Sequence, residues 1–253
     1  MQEGGAILGR VRQELKKLTQ VGISPAELEA HAQKLIKSHG AEVSFDKVPG
    51  YKWATCINLN EGIVHGIPTS TIAFVSGDMV TVDVGVYYEG YHTDSAYTVV
   101  VGESTPAQDT FLEAGLYALK QSIQVVTAGA RVGDISFATG EALKKYGVYP
   151  TKELTGHGVG RELHEQPMIP NLLLGKIEQT PQLVVGQTIA IEVIYTSKPP
   201  SLYLEKDGWT ISSRNDKLTA VFEETVQVRE DGFLILTVPS LFQMYSSGTI
   251  SKI

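Results

Sequence analysis

Residues 80–102 read VTVDVGVYYEGYHTDSAYTVVVG. β-Branched and aromatic residues fill two runs on either side of Glu89-Gly90, which is the pattern of a β-hairpin. Successive side chains of a strand point to opposite faces, so Val80, Val82, Val84 and Val86 share one face and Asp83 leaves from the other, beside Thr81 and Gly85. Folding back through Glu89-Gly90 brings Asp94 opposite Asp83 or one diagonal step away. Two carboxylates at cross-strand distance repel each other and weaken the hairpin unless something positive lies between them.

Three further protonatable residues stand alone in apolar or glycine-rich stretches. In TIAIEVIYT, Glu192 interrupts a run of isoleucines, with Ile191 and Val193 pointing away from it. Glu223 follows Phe222 and precedes Glu224, which both point away, and His157 sits in Gly156-His157-Gly158-Val159-Gly160. An unpaired buried carboxylate is costly, and neither VTVDVGVYY nor TIAIEVIYT has a Lys or Arg beside its acid. For any one acid, an ion pair with a distant basic residue is an equal alternative. Four acids and an imidazole together favour a metal site split along the chain. They exceed the needs of a single zinc, whereas two bridged divalent ions would use them all, and oxygen-rich ligation favours manganese, iron(II) or cobalt, with zinc also admissible. The alternating glycines around His157 lack the spacing of a dinucleotide loop and instead predict a close backbone approach to a metal or substrate. Taken singly, His65 in VHGIP and His164 read as structural histidines; His31, His39 and His92 are assigned no function.

Outward from the hairpin the chain alternates helices and strands, giving an α+β class. Ile7, Val11, Leu15 and Leu18 recur at helical spacing, and Ser24-Pro25-Ala26-Glu27 predicts the cap of a second helix that Gly40 ends. Two more helices are predicted, from about Asp109 to Thr127 and from Asp134 to Gly147, followed by strands around Ile191, Trp209 and Phe222. VGISPAELEAHAQKLIKSHG and VGDISFATGEALKKYG share a Val-Gly start and a glycine stop, a faint internal repeat. One catalytic domain is therefore expected over residues 1–253, with related halves at roughly 1–105 and 106–240 and a short C-terminal tail. The hydrophobic share of 42% and charged share of 19% are those of an ordinary globular protein. A net charge of −7, with no basic run longer than Lys16-Lys17 or Lys144-Lys145, disfavours nucleic acid as a partner. Cys56 alone cannot form an intramolecular disulfide and fits a reducing compartment. The charged, amphipathic N-terminus has neither a signal-peptide core nor a membrane span, so a cytoplasmic location without membrane contact is expected.

With these residues in place, the chain resembles type I methionine aminopeptidases of the creatinase-like, or pita-bread, metallopeptidase family from about Gly4 to Leu236. The matching blocks are Cys56-Ile57-Asn58, Val64-His65-Gly66-Ile67-Pro68, Asp83-Val84-Gly85, Asp94-Ser95-Ala96, Gly156 to Gly160, His164-Glu165, Asp207-Gly208-Trp209-Thr210 and Phe222-Glu223-Glu224-Thr225. The resemblance implies a curved antiparallel sheet flanked by two helix pairs with pseudo-two-fold halves. It implies that Asp83 chelates one ion, that Asp94 and Glu223 bridge both, and that His157 and Glu192 complete the second. It makes His65 and His164 substrate-contacting catalytic residues and Glu192 the proton carrier. It places Phe45, Tyr51, Cys56, Leu163 and Trp209 in the methionine pocket. Leu163 stands where an aromatic residue is common in the family, Val48 where a tyrosine is common, and Val193 where a proline usually follows the glutamate. The implied activity is removal of the initiator methionine from peptides and nascent chains, which would bring a monomeric enzyme to the ribosome. An Xaa-Pro aminopeptidase or dipeptidase of the same fold, and a metal-free peptide-binding module, are the competing expectations.

Overall fold

The computed structural model describes residues 1–215 and 218–237. Helix α1 (Gln2–Leu18) buries Ile7, Val11 and Leu15 of the predicted stripe together with Leu8, and leaves Leu18 half-buried. Helix α2 (Pro25–Ser38) begins at the predicted cap: Ser24 Oγ accepts from the Glu27 N–H, the Glu27 carboxylate accepts from the Ser24 N–H, and Pro25 fills the first turn. Strands β1 (Glu42–Val43), β2 (Thr55–Leu59), β3 (Gly62–Val64), β4 (Met79–Tyr88) and β5 (Tyr91–Val100) follow. β4 and β5 form the hairpin, turning through Glu89 and Gly90 at φ 48° and 85°, the left-handed pair that suits a tight hairpin turn. β1 and β2 share the other edge of β4 in succession. The four valines of β4 are fully buried against α1 and α2. Asp94 pairs with Gly85 and Asp83 with Ala96, so the two acids are diagonal neighbours.

The order then repeats. Helices α3 (Pro106–Gln124) and α4 (Val132–Lys145) precede β6 (Tyr149–Pro150), β7 (Thr155–Gly158), β8 (Glu165–Pro170), β9 (Thr188–Thr196), β10 (Leu202–Leu204), β11 (Ile211–Ser213), β12 (Thr219–Arg229) and β13 (Gly232–Ile235). α3 starts ahead of Asp109 because Thr105 and Gln108 form a second capping box around Pro106. The two repeat fragments fall on α2 and α4, the second helix of each pair. β13, β12, β9, β7 and β8 lie side by side, with β6 sharing an edge of β9, and α3 and α4 cover this sheet in a second core. Gly115 allows α3 to sit on it, since a Cβ there would lie 2.5 Å from the Tyr195 ring. β10, β11 and β3 make a small third sheet. Trp209, expected in a strand, lies in the turn between β10 and β11. There the Asp207 carboxylate accepts from the Trp209 and Thr210 N–H groups at 2.9 Å each, and this Asx turn outweighs the aromatic preference for strand.

The two large sheets meet where β5 lies against β12, and hydroxyls there stand in for ladder bonds. Ser95 Oγ donates to Glu223 O at 2.9 Å. Thr98 Oγ1 accepts from the Val221 N–H at 3.0 Å and donates to Val221 O at 2.9 Å. Thr225 Oγ1 accepts from the Asp94 N–H at 2.9 Å and donates to Asp94 O at 2.7 Å. Asp94, from the first sheet, and Glu223, from the second, are thereby fixed side by side.

Candidate metal centre

One ligand atom each from Asp94, His157 and Glu223 lie within 4.8 Å of one another, and all three residues are buried. His157 Nε2 is 3.3 Å from Glu192 Oε1 and 3.9 Å from Asp94 Oδ2. The opposite ring nitrogen, Nδ1, donates to Gly158 O at 2.8 Å, an orientation that keeps Nε2 facing the acids. Glu192 and Glu223 are direct cross-strand partners in the β9–β12 ladder. Asp83 completes the group from β4. All five candidate ligands are thus brought to one place, drawn from β4, β5, β7, β9 and β12.

The glycines beside His157 serve strand packing. His157 lies on β7, threaded between β8 and β9. A Cβ at Gly156 would lie 2.4 Å from Ala190 O, and one at Gly158 would lie 2.4 Å from Gln166 O. Tight strand approach therefore excludes side chains at these two positions.

The site is short of positive charge. Burial first, and then the charges of Asp94 and Glu192, push the Asp83 carboxyl well above its usual range. Burial, followed by Asp94, Glu192 and Asp83, does the same to Glu223. Asp94 is raised to about 6 by burial, although His157 pulls the other way. Burial would depress His157, but its hydrogen bond to Glu192 and the charges of Glu192 and Asp94 overcome this and raise it to about 9. Asp83 Oδ1 and Glu223 Oε1 are buried with no hydrogen-bond partner. Buried acceptors are almost always satisfied, so orphaned oxygens among mutually repelling acids fit a divalent cation that accepts their lone pairs.

His65 follows β3 at φ 59°, an uncommon conformation for a residue with a Cβ. His164 packs edge-on against His157, with ring centroids 4.5 Å apart. Both are open to solvent on one side. Burial of the rest of the ring, then the charge of His157, lowers His164 to about 4; burial lowers His65 against the opposing pull of Glu192. Both rings are neutral at neutral pH, with an N–H to donate.

Phe45, Tyr51, Cys56 and Leu163 are buried in one apolar cluster with Val48, Trp53, Ile67 and Trp209 at its margin. The Tyr51 ring meets those of Trp53 at 5.0 Å, Trp209 at 5.1 Å and Phe45 at 6.4 Å, all edge-on. Cys56 is the cross-strand partner of Asp83, so the cluster abuts the acids. Trp53 and Ile67 were not anticipated there. The alternation of Tyr51 and Trp53, and the position of Ile67 within VHGIP, are the signals that could have found them. His92, assigned no function, is buried with Nδ1 2.7 Å from Ser44 Oγ.

Residues 1–230 match the family model for metallopeptidase family M24. Methionine aminopeptidase 1 of Bacillus subtilis is 36% identical to the chain over 237 residues, covering 94% of each. The crystal structure of methionine aminopeptidase from Thermotoga maritima superposes with a TM-score of 0.90 at 33% identity, covering 94% of each chain. Prolidase from Pyrococcus furiosus shares the fold at a TM-score of 0.71 and 24% identity, over 95% of this chain and 63% of that one. The architecture is the pita-bread fold that the sequence led us to expect. No helix among the described residues is long and apolar enough to cross a membrane.

Proposed function

The chain belongs to metallopeptidase family M24, and on that premise we propose that it hydrolyses the peptide bond after an N-terminal methionine. The observation that carries this reading is the pairing of Cys56 with Asp83, which sets the apolar cluster of Phe45, Tyr51, Cys56 and Leu163 directly against the acids. Similarity to methionine aminopeptidases over nearly the whole chain supports it.

Asp83, Asp94, His157, Glu192 and Glu223 would hold two divalent ions, and the oxygen-rich set suits manganese, iron(II) or cobalt. When bound, the ions supply Lewis acidity, bringing the ionisation of water close to neutrality and polarising a carbonyl. Glu192 takes the proton of the attacking water and delivers it to the leaving nitrogen, so that one C–O bond forms as the C–N bond breaks. His164, neutral, donates its N–H to the scissile carbonyl oxygen as charge develops there. His65 donates towards the departing amide nitrogen. Phe45, Tyr51, Cys56, Leu163 and Trp209 enclose the methionine side chain, and Leu163 leaves more room than an aromatic ring would. The substrates would be peptides and nascent chains leaving the ribosome, met by a monomer in the cytoplasm.

Cleavage of Met-Ala-Ser and Ala-Pro-Ala by the purified protein with added Mn(II) tests the reading. Release of methionine from the first and no cleavage of the second is expected. Cleavage of the second alone would place the activity at Xaa-Pro bonds, and a protein that neither binds metal nor cleaves would be a peptide-binding module.

A further inference from the structure

We propose that Arg12 is a positioning residue for the metal centre, holding Asp94 and Glu223 from behind through Ser95 and the backbone of Glu223. The inference rests on the metal-site reading above. Arg12 projects from α1 and is only 4% exposed. Its guanidinium donates to Ser95 Oγ, to Glu223 O at 3.4 Å and to Thr237 O at 3.1 Å, and pairs with Glu224 Oε1 at 2.9 Å. Ser95 carries the contact onward: its N–H donates to Asp94 Oδ1 at 2.9 Å, and its hydroxyl donates to Glu223 O at 2.9 Å. One rigid cation therefore reaches the carboxylate of Asp94 through a single residue and Glu223 through its own main chain.

The surroundings are built to seat this group. Thr237 Oγ1 donates to the other oxygen of Glu224 and accepts from the Thr225 N–H at 3.2 Å, while Thr225 holds the backbone of Asp94. A Cβ at Gly5 would lie 2.4 Å from Leu236 O, so α1 rests directly on the segment that presents Thr237. A planar guanidinium fork can satisfy these separate acceptors at once, which an ammonium cannot. A buried ion pair by itself is weak evidence of stabilisation, and removing both partners is often neutral. Beyond Glu224, the bonds of Arg12 to Ser95 and Glu223 fall on the two strands that carry Asp94 and Glu223.

The test is Mn(II) affinity by calorimetry, read beside the thermal stability of the chelator-treated protein, for Arg12→Met and the double variant Arg12→Met/Glu224→Met. Arg12→Met should lose stability and bind Mn(II) about 10-fold or more weakly, as loss of outer support for metal ligands commonly does. The double variant should recover stability while its Mn(II) affinity stays weak, and it keeps the test open should Arg12→Met fail to fold. Recovery of wild-type affinity together with stability, or wild-type affinity in Arg12→Met, would overturn the inference by showing a purely structural pair. A wild-type protein that binds no Mn(II) would instead remove the metal-site reading itself.

Discussion

His157 and Asp94 carry opposite consequences of the same crowding. In the metal-free protein His157 is raised to about 9 from 6.5, so it stabilises the fold fully below pH 6.5 and loses that contribution as pH rises through 9. Asp94 is raised to about 6 from 3.8, so its ionisation penalises the fold increasingly between those two values. Both effects lower stability as pH rises. The lowered His164 and His65 oppose this only below about pH 6.5, so the Tm of chelator-treated protein should fall from about pH 6.5 to about pH 9, while the gap to metal-loaded protein widens because ligands must shed protons to bind. A metal-free Tm that climbs over that range would contradict these shifts. Substitutions separate ligand from catalyst. Glu192→Gln keeps an oxygen but loses the proton acceptor, and kcat should drop by about 10² or more. His164→Ala should keep its metal and lose about 10² to 10³ in kcat/KM, whereas Asp94→Asn should lose metal itself; the reverse pattern in metal analysis would break the assignment. Asp83 and Glu192 were legible in the sequence because each interrupts an apolar strand without a basic neighbour, and Asp94 because the hairpin folds it back towards Asp83. Arg12 was not, although it falls between Leu8 and Leu15 on the buried stripe of α1, because the polar residues of that helix mask a single buried charge.

Among the elements, the β5–β12 seam depends on hydroxyls rather than a backbone ladder. Thr225→Val keeps the shape but leaves the Asp94 N–H without its Thr225 partner, and should cost about 1 to 3 kcal/mol in urea unfolding of the metal-free protein. An unchanged midpoint would show that the seam bonds are dispensable. Leu163, 7% exposed within the aromatic cluster, belongs to the same scale because it enters from the loop before β8. Leu163→Phe should sharpen the preference for methionine over branched first residues, since a methylene is worth about 1 to 3 kcal/mol of discrimination; an identical peptide profile would place Leu163 outside the pocket. Helix starts were readable where Ser24 and Pro25 announce a cap, and the Thr105-Pro106 cap was missed although it has the same chemistry. β7 was unreadable as a strand, because its glycines answer to the oxygens of neighbouring strands that sequence alone does not place.

Across the whole molecule, the hairpin pattern and the repeated order of helix pair and sheet made the architecture legible, while the third sheet of β3, β10 and β11 is too short to leave a periodic signal. The expected C-terminal tail lies outside the described residues. Asp83 and Asp94 come from the sheet under α1 and α2, and His157, Glu192 and Glu223 from the sheet under α3 and α4. A bound cation would hence join the two cores and raise the Tm by binding only the folded arrangement. Release of N-terminal methionine from this shared site should depend on metal, which is checked by following methionine release from Met-Ala-Ser after exhaustive chelation and then after adding back Mn(II), Fe(II) or Co(II). Loss of activity on chelation and its return with metal is the predicted result, and full activity in the metal-free protein would contradict it.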